Sequence, residues 1–144
     1  MSNLCSVEIR WSDVDPNLHI RHSVYYDWGT HVRMNFLQLL GCTLQVMKEK
    51  HFGPIIFREE AVFRKEILVT DTIQLSTTVL KSTRNFAKWT MQHEIIKNEN
   101  TVAAILTIDG AWMDTNKRKL AIPPQFILDE FNKVEKPNIF QWVE

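Results

Sequence analysis

The segment from Asp13 to Ser23 concentrates side chains that can do chemistry. Its sequence, DVDPNLHIRHS, holds two carboxylates, one carboxamide and two imidazoles. A strand is predicted before it and a helix after it, so Asp13 and Asp15 stand a few residues before a helix N-terminus. The free N–H groups and positive dipole end of such a helix favour developing negative charge. One interpretation is a site that polarises a carbonyl beside a base or nucleophile. The other is an Asp/Asn-rich turn that ends in a helix cap, because Asp-Pro-Asn is ordinary turn composition.

The elements on either side of this segment must position it. Apolar and polar side chains alternate over residues 5–12, which predicts a half-buried strand. Ser23 is predicted to cap a helix whose apolar face runs as far as Leu40, and Gly41 is predicted to end it. A short helical piece is expected over residues 44–50.

The rest of the chain is predicted to be mostly strand. β-rich or alternating segments cover residues 55–69, 72–81, 86–97 and 102–113. Pro123 and Pro124 are predicted to open a short helix that ends near Lys133, before a tail over residues 134–144 whose Ile139, Phe140 and Trp142 can dock. One long helix cannot hide its apolar stripe alone. We therefore expect an α+β architecture in which the four later strands form an antiparallel meander and the sheet curves around the helix.

Length and composition restrict the class of protein. The 144 residues suit one domain over residues 1–144, with a core at about 5–132. Seventeen basic and seventeen acidic residues give zero formal net charge, which argues against a nucleic-acid partner. No apolar run approaches the roughly 18 residues of a membrane span, so no membrane partner is expected, and the first residues do not read as a signal peptide. Two cysteines, Cys5 and Cys42, exclude a disulfide framework and indicate a reducing, cytoplasmic location. No cluster has zinc-ligand spacing, so no metal is expected.

The polar motif extends onto the helix in a pattern found in one family. Asp13-x-Asp15-x-Asn17-x-His19, followed by Tyr25-x-x-Trp28 and Arg33, resembles hotdog-fold acyl thioesterases of the 4-hydroxybenzoyl-CoA thioesterase-like branch. The Asp-x-Asn-x-His spacing is also similar to that of plant acyl-carrier-protein thioesterases. The resemblance covers about residues 5–132. It implies a curved five-stranded antiparallel sheet wrapped around one long central helix.

The resemblance implies an activity and residue roles. The activity is hydrolysis of an acyl-CoA, fatty or aromatic, to the free acid and coenzyme A, with no cofactor. Asp15 matches the catalytic carboxylate, as a nucleophile or as a general base for water. Asn17 and His19 match the polar pair that accompanies this carboxylate. The backbone N–H groups of His22 and Ser23 match the helix start that polarises the thioester oxygen.

Further candidates carry less specific signals. Tyr25 and Trp28 either line an acyl pocket or pack in the core. Lys81 and Arg84 flank a turn where relatives place cations for the phosphates of coenzyme A, although a solvated hairpin has the same composition. Glu66 roughly matches a carboxylate of the plant branch, but a solvated strand glutamate is the commoner role. The isolated histidines, His31, His51 and His93, are interpreted as structural.

Residues 18–22 depart from the family pattern. Many relatives have Gly-His-Val-Asn-Asn where this chain has Leu-His-Ile-Arg-His. Losing the glycine removes a permissive backbone position, and losing both asparagines changes the helix entry and the pocket wall. Three alternatives therefore stay open: an acyl-carrier-protein thioesterase, a non-catalytic protein that binds acyl-CoA or acyl carrier protein, and a dehydratase of hydroxyacyl thioesters. The resemblance also implies a homodimer or homotetramer with the site at the dimer interface.

Overall fold

The computed structural model describes residues 3–144. A 3₁₀ turn over Trp11–Asp13 follows the first strand. The strands are β1 (Asn3–Val7), β2 (Phe52–Phe63), β3 (Ile73–Thr83), β4 (Lys88–Lys97), β5 (Thr101–Asp114), β6 (Lys119–Leu120) and β7 (Gln141–Val143), and the helices are α1 (His22–Leu39), α2 (Leu44–Lys50) and α3 (Gln125–Lys133).

The main strands form one antiparallel sheet in the order β1-β3-β4-β5-β2. Strands β3, β4 and β5 form a meander, as predicted, but β2 pairs with β5 at the far edge instead of with β3. The backbone explains this difference. The N–H groups of Arg64 and Lys65 both donate to the carbonyl of Ala103 (2.8 and 3.0 Å), so the chain leaves the sheet directly after β2. The predicted strand 55–69 is therefore wrong at its C-terminal end, and residues 64–72 cross to β3.

The sheet curves because its pairing is interrupted. Register shifts occur between β2 and β5 at Ile56/Arg58, and between β3 and β4 at Val79/Lys81. An extra residue on one strand bends that strand and increases the local twist. The buried residues of α1, including Val24, Val32 and Phe36, belong to the same apolar core as the sheet's buried face. The curved sheet around a long helix confirms the predicted fold class.

The start of α1 differs from the prediction by two residues, because a cap at Ser23 would make Val24 the first helical residue. The helix begins at His22, so Ser23 lies inside its first turn and is not the cap. The reason is that the preceding chain is already fixed: Ile20 N–H donates to the Ile67 carbonyl (3.0 Å), and Arg21 N–H donates to the Asp13 carbonyl (2.9 Å). Arg21 is the N-cap residue of α1, and its side chain makes no capping hydrogen bond with the described residues.

The tail docks, as the sequence allowed. Strand β7 runs parallel to the end of β3, with Gln141 opposite Lys81. Phe140 packs against the core and Trp142 contacts Phe131 of α3, whereas Ile139 stays 70% exposed. Among residues 3–144 no helix is long and apolar enough to cross a membrane.

Candidate active site

The loop between the 3₁₀ turn and α1 holds the Asp15 carboxylate in a fixed orientation. Its Oδ1 atom accepts the backbone N–H groups of Asn17 (2.9 Å) and His19 (3.0 Å). The Asp15 backbone closes the same turn, because its N–H donates to the His19 carbonyl (2.8 Å) and its carbonyl accepts the Leu18 N–H (3.0 Å). Residues 3–144 place no hydrogen bond on the Oδ2 atom of Asp15. One carboxylate oxygen is thus held by the loop while the other is available for chemistry.

Asp13, the competing carboxylate, has a structural environment. It is fully buried and receives the Arg10 N–H (2.9 Å) and the Arg10 guanidinium (2.9 Å). Burial raises the pKa of Asp13, but the hydrogen bonds and charge of Arg10 outweigh it, so the net pKa lies below its usual value. The backbone carbonyl of Asp13 also accepts the Arg21 N–H. Asp13 therefore ties the loop to the helix start.

The loop is pinned against the segment that follows β2. Val14 bridges Ile20, and His19 bridges Leu68. This second bridge brings the His19 imidazole to Glu66, with 3.0 Å between Nε2 and Oε2. Both side chains are about half exposed, at 43% and 57%. The structure thus joins Glu66 to the predicted group, a neighbour that the sequence could only suggest through family resemblance.

The first turn of α1 follows the carboxylate loop directly. The N–H groups of the first residues of a helix have no partner inside it. In this helix those residues are His22 and Ser23, both on the exposed surface. Asp15, its two polar companions and the positive end of α1 therefore lie within one short stretch of chain, held by backbone hydrogen bonds.

Tyr25 and Trp28 lie in the core below this stretch. Both are nearly buried, and their ring centroids are 5.7 Å apart. Tyr25 also meets Phe63 of β2 edge to face at 4.9 Å, and Phe63 remains 51% exposed. Burial raises the pKa of the Tyr25 hydroxyl. Trp28 and His31 line a groove of about 510 Å³ between β1 and α1.

The predicted carrier cations lie on a separate element. Lys81 is exposed near the end of β3, and Arg84 occupies the turn between β3 and β4. The Arg84 guanidinium carbon lies 4.9 Å from the ring centroid of Trp142. These residues are therefore placed by the β3–β4 hairpin and by the tail, not by the carboxylate loop.

His31, His51 and His93, which the sequence analysis interprets as structural, lie outside the carboxylate loop. His93 is fully buried, with Nε2 3.3 Å from the Arg33 guanidinium and Nδ1 3.1 Å from the Ser76 carbonyl. His31 contacts the Asn35 amide (3.4 Å), and His51 ends α2 in the left-handed conformation (φ 56°). No group of His, Cys, Asp and Glu in the described chain is arranged to hold a metal ion.

Residues 9–131 match the family described as the thioesterase-like superfamily, and the chain belongs to this superfamily. Among solved structures it is similar to a hypothetical protein of Staphylococcus aureus in complex with CoA (TM-score 0.87, 12% identity, 96% of this chain and 91% of that chain). It is also similar to the DHNA-CoA thioesterase of S. aureus, with a TM-score of 0.79 and 17% identity over 90% of this chain and 88% of that chain. A 1,4-dihydroxy-2-naphthoyl-CoA thioesterase of Synechocystis gives a TM-score of 0.80 and 14% identity over 93% of this chain and 98% of that chain. These likenesses show the hotdog fold. A comparison with curated proteins finds no match.

Proposed function

We propose that this protein is an acyl-CoA thioesterase that hydrolyses a fatty or aromatic acyl thioester to the free acid and coenzyme A. One observation carries the proposal: the Asp15 carboxylate is held through Oδ1 by two backbone N–H groups, with no hydrogen bond from residues 3–144 on Oδ2, in the loop that leads into the N-terminus of α1. Membership of the thioesterase-like superfamily supports it. Neighbours of the same fold act on CoA thioesters or bind CoA, which supports the choice of carrier.

Two reaction routes use this geometry. In the first, Asp15 accepts a proton from water, the water oxygen bonds to the thioester carbon, and the C–S bond breaks as the thiol leaves with a proton. In the second, the carboxylate attacks the carbon, the C–S bond breaks and the thiolate leaves as a mixed anhydride forms. Water then cleaves the anhydride, which restores the Asp15 carboxylate and releases the free acid together with the proton that the thiolate takes up. In both routes negative charge develops on the carbonyl oxygen. The N–H groups of His22 and Ser23 are proposed to receive it.

The remaining roles follow from position. Asn17 and His19 are proposed to orient the carboxylate or the attacking water, and Glu66 to hold His19 through the 3.0 Å contact between Oε2 and Nε2. Tyr25 and Trp28 are proposed to form the inner wall of the acyl pocket. Lys81 and Arg84 are proposed to contact the phosphates of the carrier, which lie far from the reacting carbon.

The test is thiol release from acyl-CoAs of varied length and aromaticity by wild type and Asp15→Asn. We expect the substitution to lower kcat about 10³-fold, within the range that loss of a positioned base or nucleophile produces. The thermal midpoint should hardly change, since the asparagine carbonyl oxygen can still accept both N–H groups. Coenzyme A binding without thiol release by the wild type would instead support the non-catalytic alternative.

Asp13→Asn is the comparison variant. It should lower the thermal midpoint, because it leaves the Arg10 guanidinium without its buried carboxylate partner. Activity per folded molecule should persist. If Asp15→Asn keeps most activity while folded Asp13→Asn loses it, the assignment of Asp15 is wrong.

A further inference from the structure

A buried arginine and a buried carboxylate oxygen face each other between α1 and β2. Arg33 of α1 is only 4% exposed, and within residues 3–144 it forms no ion pair. Its guanidinium makes only long contacts there: 3.3 Å to His93 Nε2, 3.4 Å to the Thr30 hydroxyl and 3.5 Å to the Gly29 carbonyl. Strong hydrogen bonds from nitrogen to oxygen are shorter, at about 2.9 Å. The positive charge of Arg33 is therefore only partly compensated inside the protein.

Glu59 of β2 carries the matching negative charge. With Ala61 and Phe63 it belongs to the face of β2 that is turned towards α1, because alternate residues of a strand share a face and Phe63 meets Tyr25. Its Oε2 atom is buried and has no hydrogen-bond partner among residues 3–144. Burial lowers the pKa of the Arg33 guanidinium, and the nearby charge of Glu59 opposes that change. A polar gap thus separates the two charges, and leaving both without a good partner is costly.

An inner strip of apolar residues leads from the proposed acyl pocket to this gap. It begins where Tyr25 meets Phe63, whose side chain is 51% exposed. It continues over Gly29, one helical turn further along α1, and over the half-buried Ala61, two residues earlier on β2. Leu106 forms its floor, because a Cβ on Gly29 would lie 2.6 Å from Leu106 Cδ1. An apolar chain that enters at Phe63 would therefore reach two charged groups at its far end.

The rise of α1 sets how long that chain must be. In the proposed reaction the thioester carbonyl lies at the N–H groups of His22 and Ser23. The Arg33 guanidinium reaches back to the Gly29 carbonyl, and Gly29 is six positions beyond Ser23. Six residues of an α-helix rise about 9 Å, a span that an extended acyl chain of about eight carbons covers. The para hydroxyl of a benzoyl group lies closer than this to its carbonyl carbon and does not reach the gap.

We propose that Arg33 and Glu59 bind the far end of a straight acyl chain of about eight carbons that carries a terminal hydroxyl group. The hydroxyl donates to Glu59 Oε2 and accepts from the Arg33 guanidinium. It suits both partners, because a carboxylate only accepts, a guanidinium only donates, and a hydroxyl does both. A terminal methyl would leave both charges unsatisfied, a terminal carboxylate would be repelled by Glu59, and a terminal ammonium would be repelled by Arg33. The inference rests on the proposed function, which places the carbonyl at the helix start, and it names the substrate class.

The experiment compares kcat/KM for ω-hydroxyoctanoyl-CoA and octanoyl-CoA. Wild type should prefer the hydroxylated substrate about 30-fold, as a hydrogen bond to a charged group predicts. Glu59→Gln keeps the shape of the side chain but removes its charge, so the preference should fall to about threefold. Glu60→Gln is the matched control and should keep the wild-type preference, because Glu60 is the next carboxylate on β2, points to the other face and pairs with Arg58 at 2.6 Å. The comparison of two substrates on wild type does not depend on the folding of any variant.

Equal rates on the two octanoyl substrates, as a water molecule bridging the two charges would give, would overturn the hydroxyl site and leave the thioesterase standing. A preference that Glu59→Gln and Glu60→Gln retain equally would do the same. A preference for para-hydroxybenzoyl-CoA over benzoyl-CoA that depends on Glu59, with none for the octanoyl pair, would overturn the proposed chain.

If wild type hydrolyses none of these substrates, the thioesterase is wrong and the site is tested by calorimetry with the free acids. ω-Hydroxyoctanoate that binds wild type about tenfold more tightly than octanoate does, and loses this advantage in Glu59→Gln, would support the site without the reaction. Equal binding of the two acids would overturn the site as well.

Discussion

A single backbone conformation sets the shape of the carboxylate loop. Leu18 sits at φ 66°, in the left-handed region that side chains with a Cβ adopt at a cost. The hydrogen bonds of Asp15 close the turn around Leu18, so this chain adopts a glycine-type conformation although it has leucine at this position. A leucine in this conformation lowers the free energy of unfolding relative to a glycine. Leu18 is 61% exposed, so its side chain contributes little packing in return.

Leu18→Gly should therefore stabilise the protein. Relief of the left-handed conformation contributes roughly 1–2 kcal/mol, and the greater freedom of glycine in the unfolded chain offsets about 0.5–1 kcal/mol of it. We expect a gain of up to about 1 kcal/mol in the free energy of unfolding, measured by urea denaturation. Leu18→Ala removes the same side chain but keeps a Cβ at positive φ, so it should show no gain. A glycine variant less stable than the alanine variant would contradict this explanation.

The sequence identified the residue types of the site but not all of their partners. Asp15, Asn17 and His19 stand four residues apart at most, so one turn brings them together. Glu66 is 47 positions beyond His19, and its contact depends on the bridge between His19 and Leu68, which no local pattern encodes. The Arg10–Asp13 pair is different, because these residues are three positions apart and meet within the 3₁₀ turn that begins at Trp11. A contact between side chains that are distant in sequence can be predicted only once the fold is known.

At the scale of elements, local patterns located the helices and the meander but misplaced β2. The apolar and polar residues of β2 predict a strand, but they do not show whether that strand pairs with β3 or with β5, because the pattern is the same in both cases. The pairing with β5 depends on the crossing over residues 64–72 and on a close approach at Gly110, which lies opposite Ile56. A Cβ on Gly110 would lie 2.4 Å from the buried Trp89 ring and 2.6 Å from the Ile55 carbonyl oxygen.

Gly110→Ala should disrupt the packing between β5 and β2. Neither a buried indole nor a strand backbone can move cheaply, so we expect a loss of about 2–3 kcal/mol in the free energy of unfolding. Gly53→Ala is the matched control on β2, because its Cβ would have only an ordinary contact, 3.8 Å from Thr115 Cγ2. That variant should stay within about 0.5 kcal/mol of wild type. Equal stability of the two variants in urea denaturation would show that the close approach at Gly110 is not needed.

At the scale of the whole molecule, one buried polar pair links the helix to the sheet. Arg33 of α1 and His93 of β4 meet inside the core at 3.3 Å, where burial lowers the pKa of both. Because the Ser76 carbonyl can only accept, Nδ1 of His93 carries the proton and Nε2 accepts from Arg33. A second proton on the imidazole would break that contact and place two positive charges together.

Stability should therefore fall as the pH is lowered from about 6.5 towards 4. Burial, followed by the charge of Arg33, lowers the pKa of His93 from 6.5 to about 3, so in this window the unfolded chain takes up a proton that the folded protein does not. The expected loss is up to about 1.4 kcal/mol for each pH unit. The pKa values of Asp13 and Asp71 are lowered from 3.8, so protonation of these two carboxylates reduces stability mainly below pH 3.8, outside this window.

His93→Gln tests the origin of this pH dependence. Glutamine can still donate to the Ser76 carbonyl and accept from Arg33, but it does not titrate. The variant should be less stable than wild type at pH 7.5 and should lose stability less steeply between pH 6.5 and 4, in urea denaturation at fixed protein concentration. An unchanged slope would assign the acid sensitivity to other groups.

The outer edge of β2 predicts that the protein does not remain a single chain. Among residues 3–144 this strand pairs with β5 on one side only, and it exposes large apolar side chains at 46–59% of their surface: Ile56, Phe57, Val62 and Phe63. A long unpaired edge that carries apolar groups is a template for pairing with another strand. Phe63 also touches Tyr25, so a second copy on this edge would stand beside the proposed acyl pocket.

Light scattering should give a mass of at least twice 17.0 kDa, about 34 kDa, at micromolar concentration. Phe57→Lys combined with Val62→Lys should shift the protein towards 17.0 kDa, because charges on the edge oppose strand pairing. If the site lies at this interface, hydrolysis should fall together with the dimer and recover as the concentration is raised. Leu44→Lys, at an apolar residue that is 70% exposed on α2, is the control and should stay assembled and active. A wild-type protein that is monomeric and fully active would show that one chain holds a complete site.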